Sequence, residues 1–264
     1  MRLTISILAT VLCAALVATA VASPASSTAG RVVVPRGQPV QIAFTAVTTE
    51  GELLAGFTAS FRKAIRMAIA LHPTIRGFPV KVNAVETSCS GDNAAAATAI
   101  VANEQNTAVI GHLCSDGFVS ALPIYEAAGI VTVSGSATRD GLPALGPSVF
   151  NRVHVRDGDG GEAWYELVRT SPRNVLWRQL YLFAWGSQPE PFADLYFDAA
   201  RLLLARLEQT SAVVGGNLVV DRAALARAVR NTSGFFGVTC AVDLDPATGN
   251  RVNDPESLAR CTRR

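Results

Sequence analysis

Between residues 40 and 149, short apolar β runs alternate with helical segments, and this alternation constrains the fold more than any other feature of the chain. Residues 40–46 (VQIAFTA) form a β-rich run. In residues 51–72, Leu54, Phe57, Phe61, Ile65, Ala68 and Ile69 recur at three- and four-residue spacing, which predicts one face of a helix. Residues 79–85 (PVKVNAV) alternate as a strand. A Ser/Gly turn then leads to the helix AAAATAIVANE, the strand AVIGHL, a short helix VSALPIYEAA with Asp116 as its expected cap, and the β run IVTVS. This β-α order with short loops predicts an α/β fold, a parallel sheet sandwiched by helices on both faces.

Beyond residue 149 the pattern loosens. Residues 150–168 read as a strand and a helix, TSPRN breaks the chain, and residues 175–186 (VLWRQLYLFAWG) are an apolar aromatic run interrupted by Arg178. Residues 190–209 predict a helix with prolines at its start and Phe192, Leu195, Ala199, Leu202, Leu203 and Arg206 on one side. Asp221 is placed to cap the next helix, and residues 238–252 read as two short strands around an Asp-Pro/Thr-Gly turn. Aromatic residues cluster between positions 164 and 197, as a core seam or an interaction patch would require.

The first 22 residues carry one charge, Arg2, then an apolar and small-residue stretch ending in Ala20-Val21-Ala22 before a Ser/Pro-rich segment. That pattern predicts a signal peptide cleaved near Ala22, hence a periplasmic or secreted protein, with residues 23–39 a flexible lead-in. After cleavage no apolar stretch reaches the ~18 residues a bilayer span needs, so no stable membrane span is expected. Leu12 before Cys13 is the wrong neighbour for lipid attachment. Cys89, Cys114, Cys240 and Cys261 then remain, an even number that favours disulfides in an oxidising compartment but allows three pairings. With 23 Lys+Arg against 21 Asp+Glu, net +2 and no basic run, the chain lacks the clustered charge a nucleic-acid binder needs.

No catalytic constellation appears, and the chain is not expected to be an enzyme or to need a cofactor. The nucleophile elbow G-x-S-x-G is absent, and TAVTTEGELLAG after the first strand lacks both phosphate-loop patterns. His112 and Cys114 would be two metal ligands without the rest of a set, so a structural histidine beside a disulfide is the better reading. The acidic turn DGDGGE at residues 157–162 has Glu162 and Val168 where a calcium loop needs Gly and Glu. Neither calcium nor another metal is expected.

Residues 85–142 contain a cysteine followed 25 residues later by IGHLCS, then a PIYE helix, then an S-x-x-A-T loop after a buried strand. In this order they resemble the periplasmic leucine/isoleucine/valine-binding proteins, the substrate-binding components of branched-chain amino-acid ABC transporters. The similarity extends weakly back to Gln41 and resumes at residues 192–207 and at FFGVTCAVDLDPATG. The resemblance implies a type I periplasmic-binding fold and a Cys89 to Cys114 disulfide, worth ~3 kcal/mol by chain entropy. Cys240 and Cys261 are then a candidate second bridge tying down the C-terminal tail. It also implies that Ser115, Ser136 and Thr138 hold a ligand's carboxylate and ammonium groups, because loop donors at strand ends meet a zwitterion at the crevice.

The resemblance further implies two lobes, yet residues 150–188 are too few for a full second lobe, since one βαβ unit takes ~30 residues. The expected organisation is therefore a ligand-binding lobe from residues 40–149 and 189–245, a remnant of a truncated second lobe at 150–188, and a C-terminal tail at 246–264. The family's second-lobe ligand contacts have no counterpart here, and its glycine-rich first loop is replaced. The implied function is capture of a branched-chain amino acid or related amide for an ABC permease, with weak affinity unless a partner or dimer completes the cleft. The alternative is a single-lobe exported interaction module without amino-acid binding, using the aromatic region 164–197 and the residues near Trp177 and Trp185 as its contact.

Overall fold

The computed structural model describes residues 30–262; the signal-peptide expectation falls outside these residues. The elements are β1 (Arg31–Val34), β2 (Val40–Ala46), α1 (Glu52–Leu71), β3 (Thr74–Ile75), β4 (Phe78–Glu86), α2 (Ala94–Ala102), β5 (Asn106–Ile110), α3 (Leu122–Ala128), β6 (Thr132–Ser134) and β7 (Phe150–Arg152). They continue as α4 (Gly161–Arg169), α5 (Pro172–Trp185), α6 (Ala193–Thr210), β8 (Ala212–Val214), β9 (Asn217–Asp221), α7 (Arg222–Arg230), β10 (Phe235–Gly237), β11 (Cys240–Val242) and α8 (Pro255–Thr262).

The main sheet has the order β3-β4-β2-β5-β6-β7, parallel throughout except for the short edge strand β3. Every residue of β2 except Gln41 is buried, as expected for a central parallel strand covered on both faces. Alternate side chains feed two cores. Val40, Ile42 and Phe44 face α1 and α6, whereas Ala43 joins α2 and α3 on the opposite face. Successive crossovers run from β2 to β4 on one side and then from β4 to β5 on the other, so the strand order reverses beside β2. A doubly wound sheet opens its crevice at that point, outside the carboxyl ends of the strands.

The helical face predicted for α1 is present, with Phe61, Ile65 and Ala68 fully buried and Leu54, Phe57 and Ile69 packed beside them. Asp221 caps α7 as expected, its carboxylate accepting the Ala224 N–H at 2.9 Å. Asp116 does not cap a helix; it lies in a short 3-10 turn, and α3 starts at Leu122 with Pro123 in its first turn.

The lead-in and the tail are more structured than expected. Arg31–Val34 pairs antiparallel with β9, which also pairs with β8, so the stretch expected to be flexible contributes a strand. The C-terminal hairpin turns at Val238-Thr239, between β10 and β11, whereas the Asp-Pro/Thr-Gly turn is closed by a single bridge between Leu244 and Arg251. Both disulfides are present, Cys89–Cys114 and Cys240–Cys261, with Cα separations of 5.0 and 5.6 Å. The second ties α8 to β11.

Residues 150–188 place the boundary of the main sheet later than the sequence suggested. Phe150–Arg152 pairs with β6 as its outermost parallel strand. Beyond this strand the chain forms a helical pair, α4 and α5, and not a further sheet; Trp164, Tyr165, Trp177 and Tyr181 of these helices belong to the core shared by α1 and α6. Ser171 caps α5 by accepting the Asn174 N–H, and Gly186 ends it with φ 69°, a left-handed conformation suited to glycine. None of the described helices is long and apolar enough to cross a membrane.

Candidate functional site

The crest of the sheet is built from the loops that follow β2, β4, β5, β6 and β7, and polar side chains lace these loops together. Burial opposes ionisation of Glu86, but hydrogen bonds from the backbone and hydroxyls of Thr48 and Thr49 outweigh it and hold the carboxylate below its usual range. Glu50 reaches the next loop, bonding Ser88 and accepting the Cys89 N–H at 3.0 Å. The Cys89–Cys114 bridge carries the lacing from the β4 loop to the β5 loop.

Ser115 and Ser136 lie where the β5 and β6 loops meet. Ser136 donates to the Leu113 carbonyl at 2.6 Å and lies 3.0 Å from the Tyr196 hydroxyl. Its hydroxyl is therefore engaged by the fold, with α6 supplying the tyrosine. Ser115 Oγ accepts the Arg139 N–H at 3.2 Å, which leaves its own hydrogen available. Thr138 stands two residues beyond Ser136 along the same loop, its carbonyl accepting the Asp157 N–H at 3.0 Å. Among the described residues, the N–H groups of Ser115 and Thr138 and the Thr138 hydroxyl make no hydrogen bond. Ser134 supports this arrangement by donating to the His112 carbonyl at 2.8 Å and accepting the Ala137 N–H at 3.0 Å.

His112 sits under this crest. Its Nε2 lies 3.1 Å from the Tyr125 hydroxyl, its ring packs on Phe118, and burial pushes its pKa down to about 3. It is therefore a neutral core histidine. The described residues contain no group of three or more His, Cys, Asp or Glu able to hold a metal. Gly111 must be glycine, since a Cβ there would stand 1.9 Å from the Thr45 hydroxyl and its φ is 128°. The acidic turn at Asp157–Asp159 serves Arg156, which pairs with Asp159 and Asp140 at the surface.

Three buried groups with no local motif complete the crest. Arg152 is fully buried and donates to the Ala137 and Arg139 carbonyls at 3.0 and 2.9 Å, which sets the loop carrying Thr138. Arg251 stacks 4.3 Å from Trp164 and donates to the Val153 carbonyl and Thr239. Burial lowers both guanidinium groups to about 10, so both stay charged at neutral pH. Asp198 accepts the Val238 and Thr239 N–H groups at 2.9 and 2.8 Å, and burial raises its carboxyl above the usual range. The available signal for Asp194 and Asp198 was their spacing of four within the apolar first half of α6. For the arginines there was none, because their partners lie far away in sequence. A polar cleft of about 720 Å³ lies between Arg156, Asp159, Asp245, Asn250, Arg251 and Asn253. It is not lined by Ser115, Ser136 or Thr138.

No protein-family model matches the chain. Over 103 residues, 38% of its length, it is 32% identical to the Leu/Ile/Val-binding protein of Escherichia coli K12, and equally to the Leu/Ile/Val/Thr-binding protein of Salmonella typhimurium LT2. The match spans only 28% of each of those relatives. Among solved structures, the branched-chain amino acid transporter substrate-binding protein of Streptococcus pneumoniae, in complex with isoleucine, superposes with a TM-score of 0.62 at 14% identity. That match covers 81% of this chain and 94% of the other. The ABC transporter substrate-binding protein of Desulfitobacterium hafniense, in complex with Leu, gives 0.64 at 16% identity over 82% and 96%. A solute-binding protein of Rhodopseudomonas palustris BisB5, in complex with 3,4-dihydroxybenzoic acid, gives 0.66 at 12% identity over 81% and 91%.

The fold is thus that of type I periplasmic binding proteins, carried here on one principal sheet. Within that class the chain resembles the leucine/isoleucine/valine-binding proteins, as the ordered motifs of residues 85–142 implied.

Proposed function

We propose that this chain is an exported solute-binding protein that captures a small carboxylate, foremost a branched-chain amino acid, for an ABC permease. The observation that carries the reading is the set of unengaged donors on two adjoining crest loops: the N–H groups of Ser115 and Thr138 and the hydroxyl of Thr138. Their loops follow β5, which flanks β2 where the strand order reverses, and its neighbour β6, and several donors on adjoining loops suit a carboxylate. The resemblance to Leu/Ile/Val-binding proteins supports the choice of ligand. The neighbours in complex with isoleucine, leucine and a benzoic acid have a carboxylate in common. The leader at residues 1–22 and the two disulfides support export to an oxidising compartment.

The crest encloses a ligand from one side, so affinity should be weak, with a Kd of about 100 μM or above. Calorimetric titration of residues 23–264 with leucine, isoleucine, valine and benzoate tests the reading. Saturable heat from a branched-chain amino acid, reduced by Thr138→Val, is expected. Heat from benzoate alone would replace the ligand class, and no heat from any of the four at millimolar concentration would defeat the proposal.

A further inference from the structure

We propose that two copies of this chain pair through α5 in an antiparallel two-fold contact, each Phe183 entering the cleft beside Val175 of the other copy. The inference is independent of the ligand reading. Helix α5, PRNVLWRQLYLFAW, has no acidic residue and carries apolar residues around its circumference. One side is accounted for. Asn174, Trp177 and Tyr181 are buried, with Asn174 donating to Asp194 and Tyr181 lying 2.9 Å from the Ser60 hydroxyl of α1. On the other side Val175, Leu176, Leu180, Leu182 and Phe183 face solvent, Phe183 with 91% of its surface. A helix apolar on all sides belongs where both sides are covered.

The exposed area is what a dimer of two such faces requires. A fully exposed phenylalanine presents roughly 150–250 Å² and leucine or valine somewhat less, so these five together present on the order of 400–500 Å² of apolar surface. Two such faces together offer on the order of 800–1,000 Å², and rim contacts from Arg178, Gln179 and Gln188 bring the total to the size of a specific interface.

The face is also complementary to itself. In an antiparallel pair with its two-fold axis at Gln179, positions equally far before and after Gln179 face each other. Phe183 then meets Val175 of the second copy, one turn, or ~6 Å, from the axis. Beside Val175 lies a cleft of about 250 Å³ lined by Arg178, Gln179 and Gln188, open to receive a phenyl ring. Arg178 makes no ion pair among the described residues, so its guanidinium is available to lie over the incoming ring. Arg173, on the same helix, is already seated 4.3 Å from the Phe236 ring and is not needed for the contact.

Sedimentation equilibrium of residues 23–264 up to about 100 μM tests the pairing. The parent chain should be dimeric. Phe183→Glu should weaken association by at least ~30-fold, the loss of one central anchor, while leaving the unfolding midpoint unchanged when both proteins are diluted to the monomer, because the side chain is 91% exposed. Gln179→Cys should form a disulfide-linked dimer on mild oxidation, whereas Thr98→Cys, on α2 across the sheet, should not. A parent chain that stays monomeric, a Phe183→Glu dimer of unchanged strength, or equal cross-linking at both cysteines would overturn the proposal. Ligand binding by a monomeric chain would overturn the dimer and leave the function reading intact.

Discussion

Mild acid should destabilise this chain through its two buried histidines, and the size of the effect is set by their burial. His112 lies beneath the crest and His154 among the rings of Trp164, Tyr165 and Phe192. Burial lowers His112 from 6.5 to about 3 and His154 to about 4. Because both folded values lie below the unfolded one, the unfolded chain takes up protons first. Their stabilising contribution is complete above pH 6.5 and is lost as the pH falls towards the folded values. At about pH 5.5 the unfolded histidine is some 90% protonated while the folded one is neutral, a loss of about 1.4 kcal/mol for each. Asp194 and Asp198 act in the opposite sense: burial raises both, so their contribution is largest below the unfolded value of 3.8 and declines as the pH rises through their folded values. Comparison with His154→Gln isolates one histidine from these carboxyls. Urea unfolding with the disulfides intact, between about pH 7.5 and 5.5, should show the parent losing ~1.4 kcal/mol more than the variant. Parallel losses in the two proteins would refute the reasoning.

Two glycines should respond to alanine with opposite signs. Gly237→Ala drives a methyl to 2.1 Å from the Asp198 carboxylate and should cost ~2–4 kcal/mol, whereas Gly56→Ala, in an exposed and open position on α1, should gain ~0.5–1 kcal/mol in urea unfolding. Removing the Cys89–Cys114 bridge as the double serine variant should cost ~3 kcal/mol, and reduction with alkylation of residues 23–264 should add four alkyl groups by mass. Arg152→Met should destabilise the chain and broaden the Thr138 amide resonance, because two carbonyls of that loop lose their donor.

What could be read in the sequence was local. The spacing of Phe61, Ile65 and Ala68 identified the α1 face, Asp221 announced its cap, and the β-α order predicted the sheet. The ordered motifs around Cys89, Cys114 and Thr138 located the crest loops. Pairings between distant segments were not legible. Arg31–Val34 has no local sign of its partnership with β9, and Arg251 meets Val153 and Thr239 only after the tail folds back. Nor could the sequence show that Ser136 spends its hydroxyl on Leu113 and Tyr196, leaving backbone N–H groups and the Ser115 and Thr138 hydroxyls as the free donors. The aromatic cluster between residues 164 and 197 allowed a core seam or a contact patch, and the structure divides it between buried and exposed side chains. Trp177 is buried in the seam, whereas Phe183 projects into solvent.

The central claim is that the loops after β5 and β6 bind a carboxylate, and amide chemical-shift mapping tests it most directly. With isoleucine added to nitrogen-labelled chain, the Ser115 and Thr138 amides should show the largest shifts and saturate together. An unchanged spectrum, or shifts confined to the Arg156–Asn253 cleft, would contradict the account.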